Sequence, residues 1–149
     1  MMLRTHLVMS ILFGLLFASF VSQPAIFFMV LIVATYVPDI DTAFSSIGAH
    51  KIFKFLQWFV HHRGILHSLT IGIALSIALA FLWPVAALPF FLGYSLHIYL
   101  DAFTPEGVAP FWPWRKRTSW KVITGGKMDT SFFVFLLIAD VIVFAFMIF

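Results

Sequence analysis

Cysteine is absent from this 149-residue chain. That excludes disulfides, thiolate-rich zinc sites and a cysteine nucleophile, so any metal has to be held by histidine, carboxylate or water. Charge is scarce too, at 10% of residues against roughly 25% in a soluble domain. Hydrophobic residues make up 62% and mean hydropathy is +1.06, which leaves too little polar surface to face water on every side. Internal repeats and low-complexity stretches are also missing. The composition indicates a single all-α, polytopic membrane domain over residues 1–149.

The nine basic residues are confined to non-membrane stretches, so the net charge of +3 reads first as a topology signal, and no nucleic-acid partner is expected. The apolar run Leu7 to Val21 follows M-M-L-R-T-H and has the charge and length of a signal peptide. Phe20, two before Ser22, stands where cleavage wants a small residue, so the run is expected to be retained as a first span. After the turn Ser22-Gln23-Pro24 a second run continues from Ala25 to Val37. Both runs are short for a bilayer, since thirteen residues of helix reach only ~20 Å. Pro38 ends the second run, and Asp39 and Asp41 follow in P-D-I-D.

From Thr42 to His61 the spacing of Lys51, Lys54, Gln57 and His61 predicts an amphipathic interfacial helix with a narrow basic stripe. Gly64 opens a third run to Trp83, with His67 and Ser68 expected in its first turn. Pro84 breaks it, and a fourth run covers Val85 to Leu100. The connection 101–130 holds three prolines, the aromatic group Phe111, Trp112, Trp114 and Trp120, and Arg115-Lys116-Arg117, which predicts an irregular interfacial loop. Trp112, Trp114, Arg115 and Arg117 are its candidates for lipid contact. Ser131 to Phe149 is the last run. Five spans with the N-terminus inside and the C-terminus outside put every Lys- or Arg-bearing connection on the cytoplasmic side.

That span count brings His6, Asp39, Asp41, His62, Arg63, His67, His97 and Asp101 to one membrane face. His97 and Asp101 are one helical turn apart, so both side chains leave one face of the fourth helix and can share a cation. Singly, each piece has a plainer reading: a hydrogen-bonded pair, a cap, a snorkelling arginine. Together, imidazole and carboxylate without thiolate suit Zn²⁺, Mn²⁺ or Fe²⁺. Arg63, four before His67, is placed to hold a phosphate oxygen beside a metal. His62 would approach from the preceding loop. Tyr94 is a candidate supporting group, and also the candidate partner of Asp140, which lies near the middle of the last span; an oligomer contact is the alternative for Asp140.

P-D-I-D at 38–41, H-R-G-I-L-H-S at 62–68 and G-Y-S-L-H-I-Y-L-D-A-F-T-P-E-G at 93–107 resemble the YdjM-type family of small inner-membrane metal-dependent hydrolases. Thr5-His6 and Thr124-Gly125-Gly126 also fit, and the matching order covers nearly the whole chain. The resemblance implies a membrane-embedded metal hydrolase and points to His6, Asp39, Asp41, His62, Arg63, His67, His97, Asp101 and Thr104. Ser68 falls within the second motif and is taken as a supporting residue. The H-x-x-x-D spacing is similar to that of the zinc-dependent phospholipase C and P1 nuclease group, which favours phosphoester chemistry.

The leading expectation is a metal-dependent phosphoesterase acting on a lipid or amphiphile at the cytoplasmic face. His67, His97, Asp101 and one or both of Asp39 and Asp41 would hold a divalent cation, zinc first, with Asp39 as proton acceptor and Arg63 on the phosphate. The alternative is a metal-binding membrane protein without catalysis: a transporter, sensor or scaffold. Transport usually places polar residues along a path at the midplane, whereas here only Asp140 lies deep. A histidine-nucleophile phosphatase would also use H-x-x-x-D, but P-S-G-H and a Ser-Arg before the histidine are missing.

Overall fold

A computed structural model describes residues 1–39, 65–114 and 116–148. The described residues form five α-helices and no β-strand: α1 (Leu3–Ala18), α2 (Pro24–Tyr36), α3 (Leu69–Leu82), α4 (Pro84–Asp101) and α5 (Lys127–Ile148). Single 3-10 turns follow α2 (Val37–Asp39) and precede α3 (Ile65–His67). The expected amphipathic helix over 42–61 lies outside the described residues.

Local chemistry accounts for the helix boundaries. Pro24 and Pro84 occupy the first turns of α2 and α4, where a missing N–H costs nothing and a fixed φ favours the helix. Pro84 therefore starts α4 as much as it ends the third run, and Trp83 flanks both helices. Ser68 caps α3 by accepting a hydrogen bond from the Ile71 N–H at 3.4 Å. His67 and Ser68 thus precede the third helix and do not form its first turn.

The expectation of five spans is met only in part. Among the described helices α5 alone has both the length and the apolarity to cross a membrane. At ~1.5 Å per residue its 22 residues reach ~33 Å. The apolar helices α1, α2 and α3 have 16, 13 and 14 residues, shorter than the roughly 20 a ~30 Å hydrocarbon layer asks for. Exposed Phe81 and Leu82 on α3 and Phe135, Ile138, Val141 and Phe146 on α5 give the molecule an apolar outer surface.

Across the bundle the helices follow the order α5, α1, α2, α4, α3, with α1 also touching α4. The α2–α4 crossing is close because Gly93 presents no side chain: a Cβ there would collide with the Leu31 carbonyl and the Ala34 methyl. Between α1 and α2 the Ser10 and Thr35 hydroxyls pair at 2.7 Å. Tyr94 and Ile98 of α4 make a small core with Val108, which comes from the long loop.

That loop is irregular, as expected, but it is more than a surface feature. It closes on itself through an antiparallel bridge between Val108 and Thr118, and the Pro110 carbonyl accepts a hydrogen bond from the Leu69 N–H at the start of α3. Trp112, Trp114 and Trp120 stay exposed on its outer side. The Arg117 guanidinium donates to the Glu106 carbonyl at 3.2 Å.

Candidate metal centre

Four chain segments end at one pole of the bundle and aim polar side chains inward. His6 comes from the first turns of α1, Asp39 from the 3-10 turn after α2, His67 from the 3-10 turn before α3, and His97 and Asp101 from the last turn of α4. His6, His67, His97 and Asp101 are almost fully buried; Asp39 keeps 36% of its side chain exposed.

His6 Nε2 lies 3.2 Å from Asp101 Oδ1. His97 Nε2 is 3.6 Å from both Asp101 Oδ2 and Asp39 Oδ1. His67 Nε2 is 3.4 Å from Asp39 Oδ1 and 3.9 Å from Asp101 Oδ2. Two overlapping groups result, His6–His97–Asp101 and Asp39–His67–His97, each with its ligand atoms within 4.8 Å of one another. His97 belongs to both.

The outer partners of two imidazoles decide how they face the centre. His97 Nδ1 meets the Thr35 carbonyl at 2.8 Å, and His6 Nδ1 meets the Met2 carbonyl at 3.1 Å. A carbonyl only accepts, so both Nδ1 atoms carry the proton, and in the neutral ring Nε2 presents a lone pair to the centre. The Nε2 atoms of His6, His67 and His97 are buried and make no hydrogen bond among the described residues. Carboxylate oxygens face them, so acceptor meets acceptor unless a cation or extra protons lie between. Neutral imidazole lone pairs, two carboxylates and backbone carbonyls fixing the tautomer are a donor set and outer shell that could hold a transition-metal ion.

Burial opposes ionisation of the Asp39 carboxyl. The adjoining His67 and the charge of His97 outweigh it and hold the group below the ordinary carboxylate range. The Met1 amine also contacts Asp101 Oδ1, at 2.5 Å.

The other candidate residues are distributed around this centre. Tyr94 is fully buried and its hydroxyl donates to the Leu66 carbonyl, next to His67, so it supports the 3-10 turn that carries that ligand. It is not the partner of Asp140, whose carboxyl oxygens make no hydrogen bond among the described residues and which lines a separate cavity with Ile11, Leu15 and Phe28. Helix depth alone gave no information about which face Asp140 occupies. Thr104 donates to the Asp101 carbonyl at 2.8 Å and accepts from the Gly107 N–H at 3.4 Å, closing the turn after α4. Asp41, His62, Arg63 and Arg115 lie outside the described residues.

Asp129, to which no sequence motif gives a role, is fully buried. Its carboxylate accepts from the Met2 N–H at 3.0 Å, the Thr5 hydroxyl at 2.7 Å and the Gly125 N–H at 2.9 Å. It thereby pins the start of α1, and with it His6, to the start of α5. The position of an acid in the first turn after Gly125-Gly126 is the sequence signal for this role. The carbonyls of Thr35 and Met2 left no signal at all.

Fold and site together define a small helical membrane protein with a buried histidine–carboxylate cluster at one pole. The model of the YdjM inner membrane protein family matches residues 1–148, and the chain belongs to that family. Its location is accordingly the inner membrane. Neither the curated proteins nor the solved structures contain a match.

Proposed function

We propose that the protein is a divalent-metal hydrolase that cleaves a phosphoester of a lipid or other amphiphile at the cytoplasmic face of the inner membrane. The observation that carries this reading is the set of three buried imidazole Nε2 atoms turned on two carboxylates, with two tautomers fixed by backbone carbonyls. A divalent cation held there, zinc first and manganese or iron next, supplies Lewis acidity and a water acidic enough to react near neutral pH. His6, His67, His97 and Asp101 are the holding residues.

Asp39 has a second task. It is the half-exposed member of the cluster and stays ionised, so it accepts the proton of the attacking water at the mouth of the site. Arg63 is assigned to the non-bridging phosphate oxygens on its sequence position alone, four residues before His67. The exposed Trp112 and Trp114 are suited to the headgroup layer, where Arg117 and Arg115 meet lipid phosphate.

The test is metal content by mass spectrometry on protein purified in detergent, followed by turnover of a panel of lipid and alkyl phosphoesters. Near-stoichiometric zinc and metal-dependent phosphoester cleavage, both lost in His97→Ala plus Asp101→Ala, are expected. Full metal binding by that double variant would overturn the assignment. Metal binding without turnover of any ester would leave a non-catalytic site, and metal uptake by sealed vesicles would make it a transporter.

A further inference from the structure

Helices α4 and α5 both rest on α1 but form no substantial interface with each other. The gap between them is a cleft of about 370 Å³, within the roughly 300–1,000 Å³ of small-molecule sites. Met9, Leu100, Phe103, Val122, Met128 and Phe132 line it, so its walls are almost wholly apolar. Its floor is buried, at Leu100 and Val122, whereas Tyr99 and Met128 stand exposed at the rim. The Tyr99 and Phe103 rings meet edge to face at 5.0 Å, which makes one wall a continuous aromatic surface. Methionine on the other walls is unbranched and fills irregular space around a flexible guest.

Residues that line the cleft neighbour the metal-centre residues along the chain. Met9 lies one turn beyond His6 on α1, Leu100 is three residues beyond His97 and adjoins Asp101, and Phe132 is one turn beyond Asp129. Met1, whose amine touches Asp101, lines the cleft as well. A guest in the cleft would therefore lie close to the His/Asp cluster, with Met1 touching both. A purely polar substrate would gain nothing from such walls, and a cleft open sideways between two membrane helices is reached from the bilayer without passing through water.

We propose that the α1–α4–α5 cleft binds one hydrocarbon chain of the substrate, so that the protein acts on lipid phosphoesters that enter sideways from the membrane with the head group at His97 and Asp101. This specifies the substrate of the hydrolase proposed above and rests on that reading. It also assigns tail recognition to Met9, Phe103, Met128 and Phe132, which no motif in the chain marks.

The experiment uses the full chain in lipid nanodiscs loaded with zinc, and a single-chain alkyl phosphate carrying a photoactivatable diazirine midway along the chain. Saturable labelling of peptides containing Met9, Phe103 and Phe132 is expected, competed by unlabelled alkyl phosphate. Filling the cleft with Met9→Trp, or narrowing its rim with Met128→Trp, should lower that labelling by roughly tenfold while zinc content stays unchanged. Met128 is exposed, so its variant keeps the test decisive if Met9→Trp does not fold. Labelling that never saturates, that falls equally on Phe81 and Leu82 of α3, or that persists in both tryptophan variants would show ordinary surrounding lipid and overturn the proposal. Zinc bound normally with no cleft labelling defeats the cleft alone. Cleft labelling without zinc supports the cleft and defeats the metal reading alone.

Discussion

His97 is the residue on which both halves of the cluster depend. Its Nε2 is equidistant from Asp39 and Asp101, and its ring lies 4.2 Å from that of His6 and 5.6 Å from that of His67. His6 contacts only the Asp101 half. His97→Ala should therefore abolish zinc binding, whereas His6→Ala, which removes a ligand from one half only, should weaken it less, as read by competition with a fluorescent chelator. Imidazoles bind metal only when deprotonated, so zinc uptake should fall in acid. Asp140 gives the opposite case: it is 7% exposed and neither carboxyl oxygen has a hydrogen bond among the described residues. Its neighbours Ile11, Leu15 and Phe28 are apolar. Asp140→Leu should raise the unfolding midpoint in detergent, corresponding to about 1–3 kcal/mol, because a desolvated polar group is exchanged for an apolar one.

Among the elements, α5 acts on the site through its first turn. Asp129 joins two helix starts by accepting three hydrogen bonds, so Asp129→Ala leaves the Met2 and Gly125 N–H groups and the Thr5 hydroxyl without their partner. The expected cost is about 1–3 kcal/mol in stability, together with weaker zinc binding, since Met2 also accepts the His6 Nδ1–H. Asp129→Asn keeps an acceptor and should lose less. Which parts were legible follows from the same local physics. The starts of α2 and α4 are marked by Pro24 and Pro84, and the His97–Asp101 pair by its four-residue spacing. The third helix was started too early, at Gly64, because an apolar run gives a helix its extent but Ser68 gives its first turn. Gathering His6, Asp39, His67 and His97 at one pole was legible from topology, since each lies at the end of an apolar run. The Tyr94–Asp140 pairing failed because periodicity gives the face of a helix without saying which neighbour covers it. The cleft between α4 and α5 depends on two helices failing to meet, and no single segment records that.

At the scale of the whole molecule, the site's side of the membrane follows from where the charges sit. Asp129 ties the Lys127 end of α5 to the start of α1, and the cluster lies at that same pole. Arg4, Lys116, Arg117, Lys121 and Lys127 all belong to segments at this pole, whereas the opposite ends at Ser19–Gln23 and Trp83 carry no Lys or Arg. With α5 crossing the bilayer, the positive-inside rule predicts that the basic pole, and the His/Asp cluster with it, should face the cytoplasm. Helices shorter than the hydrocarbon layer do not change this orientation, because local thinning costs only fractions of a kcal/mol per Å of mismatch. A chain without cysteine permits a clean measurement. Ser22→Cys lies in the exposed turn between α1 and α2, and Ser119→Cys is exposed on the loop at the basic pole. In intact spheroplasts a membrane-impermeant maleimide should label Cys at 22 at once, and Cys at 119 only after the membrane is opened. The reverse pattern would move the metal centre to the outer face, and a phosphoesterase there would meet outer-leaflet lipids in place of cytoplasmic ones.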